Sequence, residues 1–236
     1  MDGLLSKMPT GKLTRHDNIL WSYSMKLFIG NKNYSSWSFR VWLTMKVRNI
    51  EFEENLRPFD VANDYADFFT FSPTGKVPVL QHKGSTIYES LSILEYLAEL
   101  YPKKNLWPEE QITRSNARCI ANEMHAGFTA LRAACPMNMR RKISRIELSE
   151  ATVKDIHRIE TIWTECLKKS GGPYLFGKYS IADGMYAPIV NRFQIYELSH
   201  SDVVSTYTKT MTALPAWQEW NKASHAESWV VEIDEV

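Results

Sequence analysis

A glutamate followed by a serine, Glu89-Ser90, lies where a predicted β-hairpin leads into a predicted helix. The first turn of a helix favours a carboxylate, because its backbone N–H groups are unpaired and the helix dipole is positive there. Just upstream, the apolar run Val77–Gln81 reads as a strand that contains Pro78. A cis Val77-Pro78 bond at the sheet margin would leave the Val77 backbone free to pair with a ligand. The pattern predicts a site for a small extended peptide that carries charges.

A second group of polar side chains precedes another predicted helix. Tyr34, Ser35 and Ser36 follow a short strand, and an apolar helical stretch then continues to Val47. Serine is a preferred residue immediately before a helix, where its oxygen accepts a backbone N–H. Ser35 and Ser36 could therefore be helix caps and nothing more, or hydroxyl groups presented to a ligand.

The elements around these residues alternate between strands and helices. A helix between two strands makes those strands parallel, whereas a tight turn makes an antiparallel hairpin. The order β-α-β-α-β-β-α predicts a thioredoxin-like domain over residues 25–102. Its predicted elements are a strand Lys26–Gly30, a helix to Val47, a strand Ile50–Leu56, a helix from Asp60 to about Phe69, the strands Val77–Gln81 and Thr86–Tyr88, and a helix Ser90–Tyr101.

Strand patterns are missing from the second half of the chain. A polar, proline-containing segment, residues 103–110, is the predicted linker, and residues 111–236 are predicted to form an all-helical domain. Ser180 and Asp183 have the spacing of a capping box, and Pro188 is expected to bend the helix that follows. The predicted helices are Gln111–Ala134, Ser149–Lys169, Ser180–Tyr196, Asp202–Leu214 and Pro215–Ala226.

Composition narrows the functional classes. The 236-residue chain has a net charge of +1, which gives no reason to expect nucleic acid or an anionic membrane as a partner. No apolar run approaches the length of a membrane-spanning helix. The three cysteines, Cys119, Cys135 and Cys166, form no metal-binding or disulfide pattern and fit a reducing compartment. Residues 1–24 are expected to be a disordered extension, with an organelle-targeting leader as the alternative.

Four motifs in order and register resemble the cytosolic glutathione S-transferases. They are KVPVL at 76–80, YESLSILEYL at 88–97, SIADGMYAP at 180–188, and YSSWSFRVWL at 34–43, which is most similar to the zeta class. Trp37 stands where zeta enzymes carry cysteine. The segment 123–140 resembles a bacterial-type branch. The resemblance covers the chain from Met25 to near its end and implies a cytoplasmic, homodimeric enzyme with glutathione as co-substrate and no metal.

The resemblance implies a role for each residue of the hairpin and helix start. The Val77 backbone, next to Pro78, would pair with the cysteinyl residue of glutathione as an added strand. Glu89 would bind the γ-glutamyl ammonium, Ser90 the γ-glutamyl carboxylate, and Lys76 the glycine carboxylate. A hydroxyl of Ser36, Ser35 or Tyr34 would stabilise the thiolate, since a free thiol with pKa near 8.5 is mostly protonated at neutral pH.

The sequence is compatible with three functions. Conjugation of glutathione to small electrophiles leads, with Met124, His125 and Phe128, and beyond them Met137 and Met139, flanking the expected electrophile pocket. A glutathione-dependent isomerase of the maleylacetoacetate type and a non-catalytic interaction module are the alternatives. Thiol exchange through a mixed disulfide is excluded, because no cysteine lies in the first predicted domain. Arg140, Arg141 and Lys142 are expected to form a solvated charge run.

Overall fold

The first half of the molecule is a four-stranded mixed sheet with flanking helices. The computed structural model describes residues 25–59 and 65–236. The strands lie in the order β2-β1-β3-β4, with β1 parallel to β2 and antiparallel to β3, and with β3 and β4 paired as a hairpin. The predicted thioredoxin-like arrangement is therefore confirmed. The strands are β1 Lys26–Ile29, β2 Glu53–Leu56, β3 Val79–His82 and β4 Ser85–Tyr88.

In the second half of the described chain, helices and connecting loops follow one another and no further strand is formed, as predicted. Two helices belong to the first half, α1 Ser36–Val47 and α2 Ser90–Leu100. The helices of the second half are α3 Gln111–Ala126, α4 Thr129–Ala134, α5 Glu150–Ser170, α6 Ile181–Ile195, α7 Asp202–Thr212 and α8 Pro215–His225. Short 3₁₀ helices occupy Ala66–Thr70, Pro102–Lys104 and Glu232–Asp234.

Several predicted boundaries were wrong. The third strand begins at Val79 rather than Val77, so Pro78 precedes the ladder, where its missing N–H costs no pairing. The second strand begins at Glu53 rather than Ile50. Of the helix predicted from Asp60, the described part is a 3₁₀ helix starting at Ala66, and Asp60 lies outside the described residues.

The predicted helix Gln111–Ala134 is in fact two helices. Gly127 ends α3, and Phe128 adopts a left-handed conformation with φ of 56° before α4 begins. Because a left-handed residue interrupts the backbone hydrogen-bond ladder, the chain changes direction between Gly127 and Thr129. The apolar spacing continues across this break, which is why the pattern predicted one helix.

A buried capping box begins the central helix α6, as predicted. The Ser180 backbone N–H donates to Asp183 Oδ2 at 2.8 Å, while the Leu175 N–H and the Tyr207 hydroxyl each donate to Oδ1 at 3.0 Å. Asp183 thus also fixes the preceding loop and α7. The helix continues through Pro188 to Ile195.

Close packing between α1 and α6 joins the two halves. A Cβ placed on Gly184 of α6 would lie 2.1 Å from Thr44 Oγ1 of α1, so only glycine permits this approach. The Thr44 hydroxyl lies 3.1 Å from the Tyr179 hydroxyl, just before α6. The helix that carries the serine pair is therefore held against the most buried helix of the molecule.

Candidate active site

A cleft of about 660 Å³ lies between the two halves and collects most of the predicted site residues. The first half contributes the serine pair at the start of α1, the segment before β3, and the start of α2. The helical half contributes α4, α6 and the C-terminal segment, which is residues 226–236 after α8. The predicted residues that line it are Tyr34, Ser35, Ser36, Lys76, Val77, Pro78, Glu89, Ser90 and Met137.

Ser90 presents a hydroxyl that no protein group satisfies. Its side chain is fully buried, and its Oγ has no hydrogen-bond partner among the described residues. A buried hydroxyl without a partner is costly, because it has lost its water without a compensating bond. Its position at the first residue of α2, on the cleft wall, makes this hydroxyl a ready donor to an anion.

Glu89, directly before Ser90, has a backbone conformation that glutamate seldom adopts. Its φ is 67° and ψ 125°, and its side chain does not cap α2. Backbone strain of this kind costs on the order of 1–3 kcal/mol and occurs preferentially at functional sites. The exposed carboxylate lies 3.8 Å from His125 Nε2. Glu89 does not cap α2; it lines both the cleft and the neighbouring depression that contains His125.

The segment before β3 offers free backbone at the cleft. The Val77-Pro78 bond is cis, which is the arrangement that the sequence analysis considered for a proline at the sheet margin. The Val77 backbone makes no hydrogen bond to another residue in the described part of the chain. The Lys76 backbone is held by Ser72, whose Oγ donates to the Lys76 carbonyl at 2.7 Å, and the Lys76 side chain is exposed.

The two serines at the start of α1 differ in what they contact. Ser35 occupies the position before the helix, but its side chain does not cap it; its Oγ instead donates to Ser38 Oγ at 2.7 Å. Ser35 therefore occupies the predicted N-cap position, but without a side-chain cap bond. Ser36 is the first helical residue and half-buried, and its hydroxyl makes no hydrogen bond within the described residues. Ser36 is therefore the serine whose hydroxyl is free toward the cleft.

The Tyr34 hydroxyl is already engaged. It donates to Glu235 Oε1 and accepts from Arg140 Nη2 at 2.9 Å. Burial, and next the bond to Glu235, raise the pKa of Tyr34. A phenol held this way is a poor donor to a thiolate.

The expected electrophile-pocket residues do not gather in this cleft. Met124 and Phe128 are buried in the core, and His125 lies in a separate depression between α2 and α3. Met139 is also buried in the core, so of this set only Met137 lines the cleft. Sequence spacing places Met124 on the apolar face of α3, but that face packs inward against α6.

Arginines, which the sequence motifs did not indicate, line the cleft where the electrophile residues were expected. The Trp37 ring lies close to two guanidinium groups, with Arg40 Cζ at 4.1 Å and Arg132 Cζ at 4.9 Å from its centroid. Arg132 and Arg192 line the cleft, and Arg40 is buried beneath Trp37. No sequence pattern indicated that Arg132 and Arg192 line the cleft, because α4 and α6 meet only in the folded chain.

The C-terminal segment also lines the cleft, through Val231, Ile233 and Asp234. The Glu227 carboxylate accepts the backbone N–H groups of Lys32 and Asn33 at 2.7 and 3.1 Å. The Arg140 guanidinium donates to the carbonyls of Glu227 and Trp229. Arg141 Nε donates to the Val236 carbonyl at 2.7 Å. The expectation that Arg140 and Arg141 belong to a solvated charge run was wrong, because they anchor this segment.

None of the three cysteines lies at the cleft, and two of them have raised thiol pKa values. Burial raises the pKa of both Cys135 and Cys166 to about 11, and no cysteine lines the cleft.

Within the described residues, no group of three histidine, cysteine or acidic side chains could hold a metal ion. None of the described helices is long and apolar enough to cross a membrane.

Family models match both halves of the chain. The model of the glutathione S-transferase N-terminal domain matches residues 34–100, and that of the C-terminal domain matches residues 146–223, together more than half of the chain. The chain belongs to the glutathione S-transferase family. Its membership agrees with the observed fold and with the position of the cleft between the two matched regions.

Relatives of this chain have several names. Maleylacetoacetate isomerase from Rattus norvegicus is 29% identical over 194 residues, covering 78% of this chain and 87% of the relative. Glutathione S-transferase L3 from Arabidopsis thaliana is 27% identical, covering 78% and 73%.

Among solved structures, a Burkholderia glutathione transferase homologue with bound glutathione has a TM-score of 0.66 at 22% identity, covering 87% of this chain and 99% of that one. Glutathione transferase F2 from Populus trichocarpa has a TM-score of 0.65 at 18% identity, covering 86% and 100%. At these identities, the structural likeness establishes the fold.

Proposed function

We propose that this protein is a glutathione transferase that conjugates the glutathione thiolate to small electrophiles. The observation that carries the proposal is the buried, unpartnered Ser90 hydroxyl beside the strained Glu89, in a cleft that also receives Ser36. These groups match an ammonium, a carboxylate and a thiol on one short peptide.

Glutathione would bind along the segment before β3. The free Val77 backbone, next to Pro78, would exchange hydrogen bonds with the cysteinyl residue as an added strand. Glu89 would pair with the γ-glutamyl ammonium, while Ser90 and the start of α2 would bind the γ-glutamyl carboxylate. The exposed Lys76 ammonium is proposed for the glycine carboxylate.

The thiol would be activated at the start of α1. We assign this role to Ser36, whose hydroxyl is free to donate to sulfur and which lies at the positive end of the helix dipole. Ser35 is the alternative, because it also lines the cleft. Its hydroxyl would have to give up its hydrogen bond to Ser38 and turn toward the sulfur. The thiol proton passes to solvent, the resulting thiolate forms a bond to the electrophilic carbon, and the leaving group departs with its electron pair.

Glutathione binding to matched variants tests the proposal. Calorimetry on the full chain should show binding at millimolar glutathione or below, and Ser90→Ala should weaken the affinity about tenfold, because the carboxylate loses a charge-assisted hydrogen bond. Ser92→Ala, on the exposed side of the same helix, is the control and should bind as the unaltered protein does. Absence of binding by the unaltered protein would refute the proposal.

Isomerisation is the second candidate function. The similarity to the rat maleylacetoacetate isomerase favours it, whereas Trp37, which contacts Arg40 and Arg132, stands against it because it fills the position of the zeta-class cysteine. Cis–trans isomerisation of such a substrate without consumption of glutathione would support this function over conjugation.

A further inference from the structure

Three arginines around the cleft lack a carboxylate partner. None of the ion pairs within 4.0 Å in the described part of the chain involves Arg40, Arg132 or Arg192. Buried charges are normally paired, because removing them from water is expensive. Arg40 lies beneath Trp37, so Arg132 and Arg192 are the two that face the cleft.

Both cleft arginines are held in place by backbone carbonyls. Arg192 Nε donates to the Cys135 carbonyl at 2.6 Å and Nη1 to the Pro188 carbonyl at 3.2 Å. Arg132 Nη1 donates to the Gly127 carbonyl at 3.2 Å, and its guanidinium stacks on Trp37. Carbonyl contacts orient a guanidinium without neutralising it, and its remaining N–H groups stay available for an anion.

The two charges are close enough to affect each other. Burial, and after it the charge of Arg132, lower the pKa of Arg192 to about 10. At neutral pH both guanidinium groups remain protonated, so they form a cationic wall in a partly desolvated cleft. An anion placed between them would relieve their repulsion.

One carboxylate of the protein's own already lies in their field. Asp234, in the C-terminal segment, lines the cleft and is half-buried, and its side chain makes no hydrogen bond among the described residues. Burial raises the pKa of Asp234, and the charge of Arg192 opposes that rise. Asp234 therefore interacts with Arg192 at long range but forms an ion pair with neither arginine.

We propose that Arg132 and Arg192 bind a carboxylate of the electrophilic substrate, and that Asp234 competes with this carboxylate. The inference rests on the proposed function, since it assigns the substrate class of the same cleft. The favoured electrophiles carry a carboxylate on the same ring or chain as the reacting carbon. Glutathione is bound by groups of the first half, so the wall on the helical half is left for the second substrate.

A pair of isosteric probes tests this assignment. In 4-chloro-3-nitrobenzoate and 4-chloro-3-nitrobenzamide, the thiolate sulfur forms a bond to C4, the C–Cl bond breaks, and chloride leaves with the bonding electrons. The amide activates the ring toward thiolate attack more strongly than the carboxylate does. Each kcat/KM is therefore divided by the rate constant of the uncatalysed reaction of that probe with glutathione. The benzoate should be favoured about tenfold, and added salt should reduce that preference.

Variants separate recognition from folding. Arg132→Gln should abolish the preference for the benzoate and leave the KM for glutathione, measured with the benzamide, unchanged. Asp234→Asn should raise kcat/KM for the benzoate about threefold and not for the benzamide, because a competing charge is removed. Arg145→Gln, on an exposed arginine outside the cleft, is the control. Arg192 is not substituted, because it also braces Cys135 and Pro188.

Binding of the two probes without glutathione, measured by calorimetry, gives a readout independent of turnover. A benzoate affinity about tenfold above that of the benzamide, lost in Arg132→Gln, would support the assignment. Equal affinities, or a preference that survives in Arg132→Gln, would overturn it. Failure of the proposed function would show differently, as absence of glutathione binding while the benzoate still binds.

Discussion

At the residue scale, three hydroxyls with similar sequence positions have different surroundings. Tyr34 is bonded to Glu235 and Arg140, Ser35 to Ser38, and Ser36 to no described group. The sequence predicts that one of them contacts the thiol but cannot rank them, since Glu235 and Arg140 are distant along the chain. Only the folded arrangement shows which donor is free.

Replacing Ser36 with alanine tests that ranking. We expect Ser36→Ala to lower kcat/KM for conjugation about tenfold to a hundredfold, because the developing thiolate loses a positioned donor. Ser35→Ala, the matched control one residue earlier, should have a smaller effect. Steady-state kinetics with a neutral electrophile measure both. A larger loss in Ser35→Ala would transfer the role to that residue.

At the element scale, local signals predicted more than long-range ones. The hairpin, the start of α2 and the capping box of α6 depend on turn residues and spacings that lie within a few positions of each other. The division between α3 and α4 depends on the left-handed Phe128, and the electrophile residues were misplaced because the apolar face of α3 packs inward. Periodicity identifies a buried face but not the element that covers it.

The capping box should give stability a particular pH dependence. Burial raises the pKa of Asp183 to about 6, from 3.8 in an unstructured chain. The folded state therefore binds this proton more tightly than the unfolded state, and its contribution to stability is fully present below pH 3.8 and lost as pH rises through about 6.

Substitution by asparagine removes that titration. Asp183→Asn should be less stable than the unaltered protein at pH 4, and the difference in the free energy of unfolding should shrink by about 2 kcal/mol by pH 7. Urea denaturation at several pH values measures both proteins, and titrations common to them cancel. A difference independent of pH would contradict the raised pKa.

The C-terminal segment is expected to position the loop before α1. In Glu227→Gln, the amide can accept one of the two backbone N–H groups from Lys32 and Asn33 but not both, so we expect a loss of about 1–2 kcal/mol in unfolding free energy. Urea denaturation and kcat/KM should both decline. Glu232→Gln, on an exposed residue of the same segment, is the control and should change neither.

At the scale of the whole molecule, the cleft exists only where the two halves meet. The first half supplies the proposed glutathione contacts, and the helical half supplies Arg132, Arg192 and Asp234. The sequence predicts the first set through compact motifs. It does not predict the second, because residues 132, 192 and 234 become neighbours only through the packing of α4, α6 and the C-terminal segment.

Family resemblance further predicts a homodimer. The chain has a mass of 27.3 kDa, so light scattering after size-exclusion chromatography should give about twice that value. Large apolar side chains left exposed on a single chain, such as Phe69 and Ile112, are consistent with a covered surface. A mass equal to one chain at micromolar concentration would contradict this prediction.

The central claim is that the cleft binds glutathione and ionises its thiol. The most direct measurement is the pH dependence of thiolate ultraviolet absorbance in the complex at saturating glutathione. The account predicts a thiol pKa at least about one unit below the free value near 8.5, with Ser36→Ala returning most of the way to that value. A bound thiol that still titrates near 8.5 would contradict the claim.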